Sequence, residues 1–160
     1  MDSKPIAMKL ESLYPEPSLH LDSLYQSRIE DLLSKIQVTI QPIFMPRVPK
    51  TFLNPSSAHY FISTREKALR MSLVEYGKGE EKAYNDVKPF LKELGQINSE
   101  NDEGPFVLGI EISYSDLMVL ALLRMMDRLD GVERFWAMEG GDPLKKAYEA
   151  AGKWLERDTY

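Results

Sequence analysis

One segment constrains the fold more than any other, the stretch SYSDLMVLALLRMMDRL that runs from Ser113 to Leu129. Its first four residues match a capping box, in which the Ser113 hydroxyl can accept from the third backbone N–H and the Asp116 carboxylate can accept from the N–H of Ser113. Ile112 and Leu117 stand where a hydrophobic staple would be. The helix that follows is apolar almost all round, which is typical of a helix in the middle of a bundle.

The segments around this helix predict amphipathic helices. Ser3 is the predicted N-cap of the first one, which ends before the prolines of YPEP. Asp22 is predicted to cap a long second helix that Pro42 bends or ends. Further helices are predicted from Asn54-Pro55 to Gly77, through Ala83–Leu94 with Pro89 inside, through 132–138, and from Asp142 to Leu155.

Two stretches are predicted to be extended. MPRVPK, from Met45, has two closely spaced prolines and is interpreted as a stiff connector. PFVLGIEI, from Pro105, is interpreted as an extended lead-in to the central helix, with a short strand as the alternative. The predicted fold class is therefore all-α, with one buried central helix wrapped by five or six amphipathic ones.

Composition excludes several classes of function. The chain has no Cys and two His, so a thiolate nucleophile, a disulfide and a His- or Cys-rich metal site are not expected. The net charge is −5 and the basic residues are scattered, so nucleic acid is not an expected partner. The longest apolar stretches are too short to span a bilayer, and no apolar signal segment is visible. These features predict a cytoplasmic protein with no membrane partner.

Arg124 is the polar residue that most needs an explanation, because it lies inside the most apolar predicted helix. A buried Arg must be paired or must face a cleft. One hypothesis makes Arg124 a ligand or interdomain contact. The alternative is an Arg that extends outward to water or pairs with a neighbouring carboxylate. His20 and His59 have no visible partner and are interpreted as surface residues.

Several phrases resemble cytosolic glutathione S-transferases. GPFVLGIEISYSDLMVLALLR is similar to the stretch that carries the capping box of their helical C-terminal domain, and LVEYGKGEEKAYNDVKPFLKELGQI and DPLKKAYEAAGKWL resemble flanking helices. RVPKTFLNPSSAHYFISTREKAL is similar to fungal glutathione S-transferase-like proteins related to β-etherases, several of them from secondary-metabolite clusters. The resemblance implies the family's helical bundle.

The resemblance also implies a domain division and a glutathione contact. Residues 1–21 resemble the last helix and linker of a thioredoxin-like domain, of which the rest is expected to be missing, and residues 22–160 resemble the helical domain. Asp2 and Ser3 occupy the place of the acidic residue and Ser that hold the γ-glutamyl end of glutathione. Free helix N–H groups and a hydroxyl suit a carboxylate. Glutathione is thus the cofactor implied, by resemblance alone.

The leading hypothesis is a glutathione S-transferase-like protein that acts on a hydrophobic electrophile or ether in secondary metabolism or detoxification. The helical domain would bind this hydrophobic small molecule, and Arg124 is assigned to that pocket. The resemblance assigns no residue of this chain to activation of the glutathione thiol, so whether the chain is an enzyme stays open. A homodimer also stays open, because the family dimerises through both domains.

Two alternatives come from other classes. One is a non-catalytic helical interaction module, which would form a defined complex without any small-molecule effect on melting. The other is a glutathione-independent lyase or isomerase that uses only the apolar cleft. Its product would form without glutathione and would be abolished by Arg124→Ala.

Overall fold

The computed structural model describes residues 3–156, and the side chain of Ser3 lies outside what it describes. Over this range the chain is all-α, as predicted, and contains two isolated β-bridges but no sheet. The helices have these bounds: α1 Ser3–Leu13, α2 Tyr25–Thr39, α3 Gln41–Phe44, α4 Val48–Thr51, α5 Pro55–Leu69, α6 Leu73–Gly77, α7 Glu80–Asn98, α8 Tyr114–Arg128, α9 Val132–Trp136, α10 Gly141–Ala150 and α11 Gly152–Leu155.

The predicted central helix is α8, and it lies in the core. It packs against α2, α9 and α10, while α7 closes the bundle by packing on α2 and α10. Leu123, Met126 and Phe135 are fully buried in this core together with Ile29 and Ile36 of α2. The apolar spacing that predicted these helices therefore marks their buried faces.

The capping box is confirmed and is more extensive than predicted. The Asp116 carboxylate accepts hydrogen bonds from the Ser113 N–H at 2.8 Å, the Ser113 hydroxyl at 2.6 Å and the Val107 N–H at 3.0 Å. Asp116 is 3% exposed, so these bonds satisfy donors that water does not reach. The third contact folds the preceding stretch onto the start of α8.

That stretch is a tight turn and not a simple extended lead-in. Phe106 and Gly109 exchange backbone hydrogen bonds of 3.0 and 2.9 Å, and a second bridge joins Leu108 to Glu111. Gly109 has φ +83°, a value that glycine adopts at little cost. The two bridges resemble the short strand that was the alternative prediction, but within the described residues they do not extend into a strand.

The second predicted helix differs at both ends. Asp22 does not cap α2, which begins at Tyr25 after Leu24 with no side-chain cap. The Ser23 hydroxyl accepts from the Tyr25 N–H at 3.3 Å instead. The helix ends at Thr39, and Pro42 then stands in the first turn of the separate helix α3, where its missing N–H costs nothing.

The region from Met45 to Gly77 holds two corrections. MPRVPK is not extended, because Pro49 stands in the first turn of the short helix α4. Asn54 caps α5 as predicted, accepting from the Ser57 N–H at 2.9 Å. The helix does not reach Gly77: Arg70 turns left-handed at φ 56°, and Ser72 caps the new helix α6.

The last predicted helix is also divided. It begins at Gly141, one residue before Asp142, and Gly140 takes the N-cap position with φ +88°. The helix is interrupted at Ala151, and the short helix α11 follows. Gly95 of α7 lies so close to this turn that a Cβ there would stand 2.3 Å from the Gly140 carbonyl oxygen. The two glycines thus let α10 pack on α7 backbone to backbone.

Helix α1 ends before the prolines as predicted, begins with Ser3 itself and not after it, and has an open apolar face. The sequence predicts that Ile6, Leu10 and Leu13 either pack on the bundle or lie exposed, and all three are exposed, by 50, 48 and 55%. Ala7, on the neighbouring face, is buried. Of these apolar side chains of α1, only the small one of Ala7 is buried.

Candidate functional site

A cleft of about 720 Å³ lies between α1, α2 and α8. Its two walls differ in chemistry: α8 contributes a mainly apolar wall, whereas α2 and the first turn of α1 contribute charged and polar side chains. The lining residues are Lys4 of α1, Glu30, Asp31, Leu33, Ser34 and Gln37 of α2, and Tyr114, Met118 and Ala121 of α8. More than half of the lining side chains are polar or charged, so the cleft suits a ligand that carries polar groups beside an apolar part.

Helical spacing explains how each wall is built. Tyr114, Met118 and Ala121 are four and then three residues apart, so they follow one face of α8. Glu30, Ser34 and Gln37 repeat the same spacing on α2. Leu123 and Met126, on other sides of α8, are fully buried in the core, whereas the face with Tyr114, Met118 and Ala121 borders the cleft.

The start of α1 is tied to the cleft by an ion pair. Lys4 lies 2.9 and 3.0 Å from the two carboxylate oxygens of Glu30, and both residues line the cleft. Both side chains are partly exposed, so the pair orients α1 more than it stabilises the fold.

The end of α1 is held by the linker. The Glu11 carboxylate accepts from the Ser18 hydroxyl at 2.7 Å and from the Leu19 N–H at 2.8 Å. These two hydrogen bonds hold the pKa of Glu11 below its ordinary value. The Leu19 carbonyl in turn accepts from the Tyr114 N–H at 2.8 Å. Linker and α8 therefore meet where one of the first N–H groups of α8 needs a partner.

Two of the predicted site residues fall at the limit of the described chain. Asp2 and the side chain of Ser3 lie outside the described residues, so the proposed glutathione contacts stay predictions. Ser3 begins α1, and the next residue, Lys4, lines the cleft.

Arg124 lies on another side of α8. Its guanidinium donates to Asp127 at 3.1 Å, to the Tyr148 hydroxyl at 3.2 Å and to the Leu155 carbonyl at 3.5 Å. Tyr148 also donates to Asp127 at 2.7 Å, and burial raises the pKa of Tyr148. These contacts join α8 to α10 and α11. Arg124 is not among the residues that line the cleft, and its assignment to a substrate pocket stays a prediction.

The residues of the cleft were missed by sequence reasoning for an identifiable reason. Tyr114 and Met118 belong to a helix that reads as apolar all round, so no face of it stands out. Glu30 and Asp31 look like ordinary solvated carboxylates. The one available signal is the four-and-three spacing of Tyr114, Met118 and Ala121, which selects a single face of α8.

Other kinds of site find no support in the described part of the chain. Within residues 3–156 no group of three or more His, Asp or Glu side chains is arranged to hold a metal ion. None of the described helices is both long and apolar enough to cross a membrane.

Comparison with known proteins places this architecture. A curated relative, the "Glutathione S-transferase-like protein ustS" of Aspergillus flavus, is 24% identical over 98% of this chain and 61% of its own length. The chain therefore spans about three fifths of that relative.

Two solved fungal structures share the fold. The glutathione S-transferase CsGST63524 of Ceriporiopsis subvermispora, in complex with glutathione, superposes with a TM-score of 0.78 at 20% identity, covering 99% of this chain and 66% of that one. Glutathione transferase GSTFuA3 of Phanerochaete chrysosporium gives 0.66 at 26% identity over 94% and 63%. The family described as "Glutathione S-transferase, C-terminal domain" matches residues 22–154. With the match covering most of its length, this chain belongs to the glutathione S-transferase C-terminal domain family.

Proposed function

We propose that this protein is a glutathione S-transferase-like protein that binds a hydrophobic electrophile or ether in the α1–α2–α8 cleft. The observation that carries the proposal is the cleft itself, which has an apolar wall on α8 and opens at the first turn of α1. The proposed glutathione contacts, Asp2 and Ser3, immediately precede Lys4 in that turn. The two reactants of a conjugation would then meet at one place, which is the main requirement for such a reaction.

Glutathione is the proposed second reactant. A relative of this fold was crystallised in complex with glutathione, and another is named as glutathione S-transferase-like. The role in secondary metabolism or detoxification and the cytoplasmic location belong to the same proposal, because the fungal resemblance points to them. A homodimer stays a prediction.

The open face of α1 supports a site that is shared between this helical bundle and a second domain. Ile6, Leu10 and Leu13 expose about half of their surface on this helix. We propose that this face packs against a thioredoxin-like domain, which would hold most of the glutathione and supply the group that activates its thiol. Activation requires a donor aimed at the sulfur.

A cleft-filling variant tests the hydrophobic half of the proposal. The probe is 8-anilinonaphthalene-1-sulfonate, whose fluorescence rises in apolar surroundings. Ala121→Phe places a ring in the cleft at an exposed position of α8 and is expected to weaken probe binding about ten-fold or more. Ala150→Phe, at a position of α10 that is also exposed, is the matched control and should leave binding unchanged. Equal binding by both variants would overturn the assignment of the cleft.

A second experiment tests the glutathione half. These 160 residues alone are expected to pass through glutathione-agarose and to show no conjugation of 1-chloro-2,4-dinitrobenzene. The reason is that the resemblance assigns none of them to activation of the glutathione thiol. Clear turnover by the chain alone would contradict the proposed division of labour.

A further inference from the structure

A buried glutamine stands directly behind the polar wall of the cleft. Gln26 is 4% exposed, and its amide nitrogen donates to the Glu30 carboxylate at 2.8 Å. The same nitrogen lies 3.9 Å from the Met118 sulfur, so it touches a lining residue on each wall. Gln26 thus contacts both walls without lining the cleft itself.

The other end of this amide is anchored in the first turn of the central helix. The Ser115 hydroxyl, which is fully buried, donates to the Gln26 carbonyl oxygen at 2.9 Å. The orientation of the amide is therefore determined from both sides, because only its nitrogen can donate to Glu30 and only its oxygen can accept from Ser115. The Glu30 carboxylate also forms an ion pair with the Lys4 ammonium of α1, with 2.9 Å between Nζ and Oε1.

These contacts form a continuous polar chain from α8 through α2 to α1. We propose that Gln26 is a positioning residue that sets the Glu30 carboxylate, and through it the start of α1, relative to the central helix. This inference deepens the proposed function and rests on it, since the start of α1 is where glutathione would meet the cleft. Gln26 acts through Glu30 and does not itself touch a ligand.

The substitution Gln26→Glu gives a test that a purely structural role would not satisfy. The new side chain has the shape of glutamine but, when ionised, cannot donate to Glu30 and repels it. When one proton is shared between the two carboxyl groups, a donor is restored. Among the described residues that line the cleft, the other charged or titratable groups are Lys4 on α1, Asp31 on α2 and Tyr114 on α8, and they are unchanged in the variant.

The measurement is amide hydrogen exchange of the intact chain, with each variant compared with the wild type at the same pH. For Gln26→Glu we expect about ten-fold faster exchange in α1 at about pH 8, and recovery toward the wild-type rate at about pH 5. Gln26→Leu removes donor and acceptor together, so α1 should exchange faster at both pH values. Gln96→Glu, an exposed glutamine of α7, adds the same charge elsewhere and should change nothing in α1.

The outcomes separate this inference from the proposed function. Unchanged amide exchange in α1 would overturn the role of Gln26. So would an acceleration of exchange in Gln26→Glu that is the same at both pH values. Faster exchange in α7 as well as α1 would also overturn it, since Gln26 would then serve general stability. The exchange readout needs no ligand, so a failure of the wild type to bind 8-anilinonaphthalene-1-sulfonate would count against the cleft and not against Gln26.

Discussion

The first turns of α8 and α1 lie beside the same cleft but are held in opposite ways. The start of α8 is buried, and the single carboxylate of Asp116 satisfies three donors there. Helix α1 is held at its ends by the partly exposed contacts of Lys4 and Glu11, and its apolar face is open. The difference indicates that the bundle carries its own stability, whereas the placement of α1 depends on a few polar contacts.

The largest expected effect is that of Asp116→Ala. The substitution leaves the Ser113 and Val107 donors unsatisfied in the interior and removes the carboxylate half of the capping box, while the Ser113 hydroxyl can still accept from the N–H of residue 116. We expect a loss of about 4 kcal/mol in the free energy of unfolding and a fall in Tm of about 10 °C. Asp142→Ala, at an exposed first-turn position of α10, is the control and should cost less than about 0.5 kcal/mol. If a denaturant titration gave both variants a similar loss in the free energy of unfolding, the buried start of α8 would not be the more strongly held helix start.

A pair of leucine truncations sharpens the same contrast. Leu123→Ala in the core of α8 should cost about 3 kcal/mol, through lost burial and the cavity left behind. Leu10→Ala on the open face of α1 should cost less than about 0.5 kcal/mol, because that side chain is half exposed. Chemical denaturation measures both. A large cost at Leu10 would mean that the face of α1 is covered in solution, for example by a second copy of the chain.

Arg124→Met is expected to have an intermediate effect. It removes the contacts of α8 with Tyr148 and the Leu155 carbonyl, while the methylene packing is largely kept. We expect a loss of about 1 kcal/mol with faster amide exchange in α11. Binding of 8-anilinonaphthalene-1-sulfonate should stay unchanged, because Arg124 does not line the cleft. A clear loss of probe binding would instead support the pocket role predicted from the sequence.

The smallest effect concerns Glu11 and acid. Its pKa is lowered in the folded chain by Ser18 and Leu19, so its contribution is present above the ordinary glutamate pKa and is lost as the pH falls through the lowered value. Amide exchange in the last turn of α1, compared with α7 at the same pH, should therefore accelerate as the pH falls below the ordinary glutamate pKa. Glu11→Gln should abolish this acid response in the last turn of α1, which lies at the opposite end of the helix from the Lys4–Glu30 pair. Glu16→Gln, which changes an exposed neighbour, should preserve it. An acid response that survives in Glu11→Gln would mean that another group holds the end of α1.

The sequence predicted the features that depend on neighbouring residues. The end of α1, the Asn54 cap and the capping box at Ser113 follow from short-range hydrogen bonding and from proline. Breaks at Arg70 and Ala151 were missed, because apolar spacing continues across them and the competing caps and turns are decided by packing. Short helix α4 was missed since its prolines suit a first helical turn as well as an extended chain.

The cleft was harder to predict than the fold. Its walls come from helices far apart in sequence, and its polar residues look like surface residues until α1 is placed beside them. Arg124 stood out in the sequence because it interrupts an apolar helix. In the structure its guanidinium has local partners, Asp127 and Tyr148, which apolar periodicity does not reveal.

The most direct test of the cleft is a methionine methyl NMR titration with 8-anilinonaphthalene-1-sulfonate. Met118 lines the cleft, whereas Met138 lies beside Pro89 on another side of the bundle, and the two serve as reporter and control in one spectrum. A ligand ring in the cleft should shift the Met118 methyl resonance in proportion to occupancy and leave Met138 in place. Saturable shifts at Met138 with none at Met118 would contradict the assignment of the α1–α2–α8 cleft as the hydrophobic binding site.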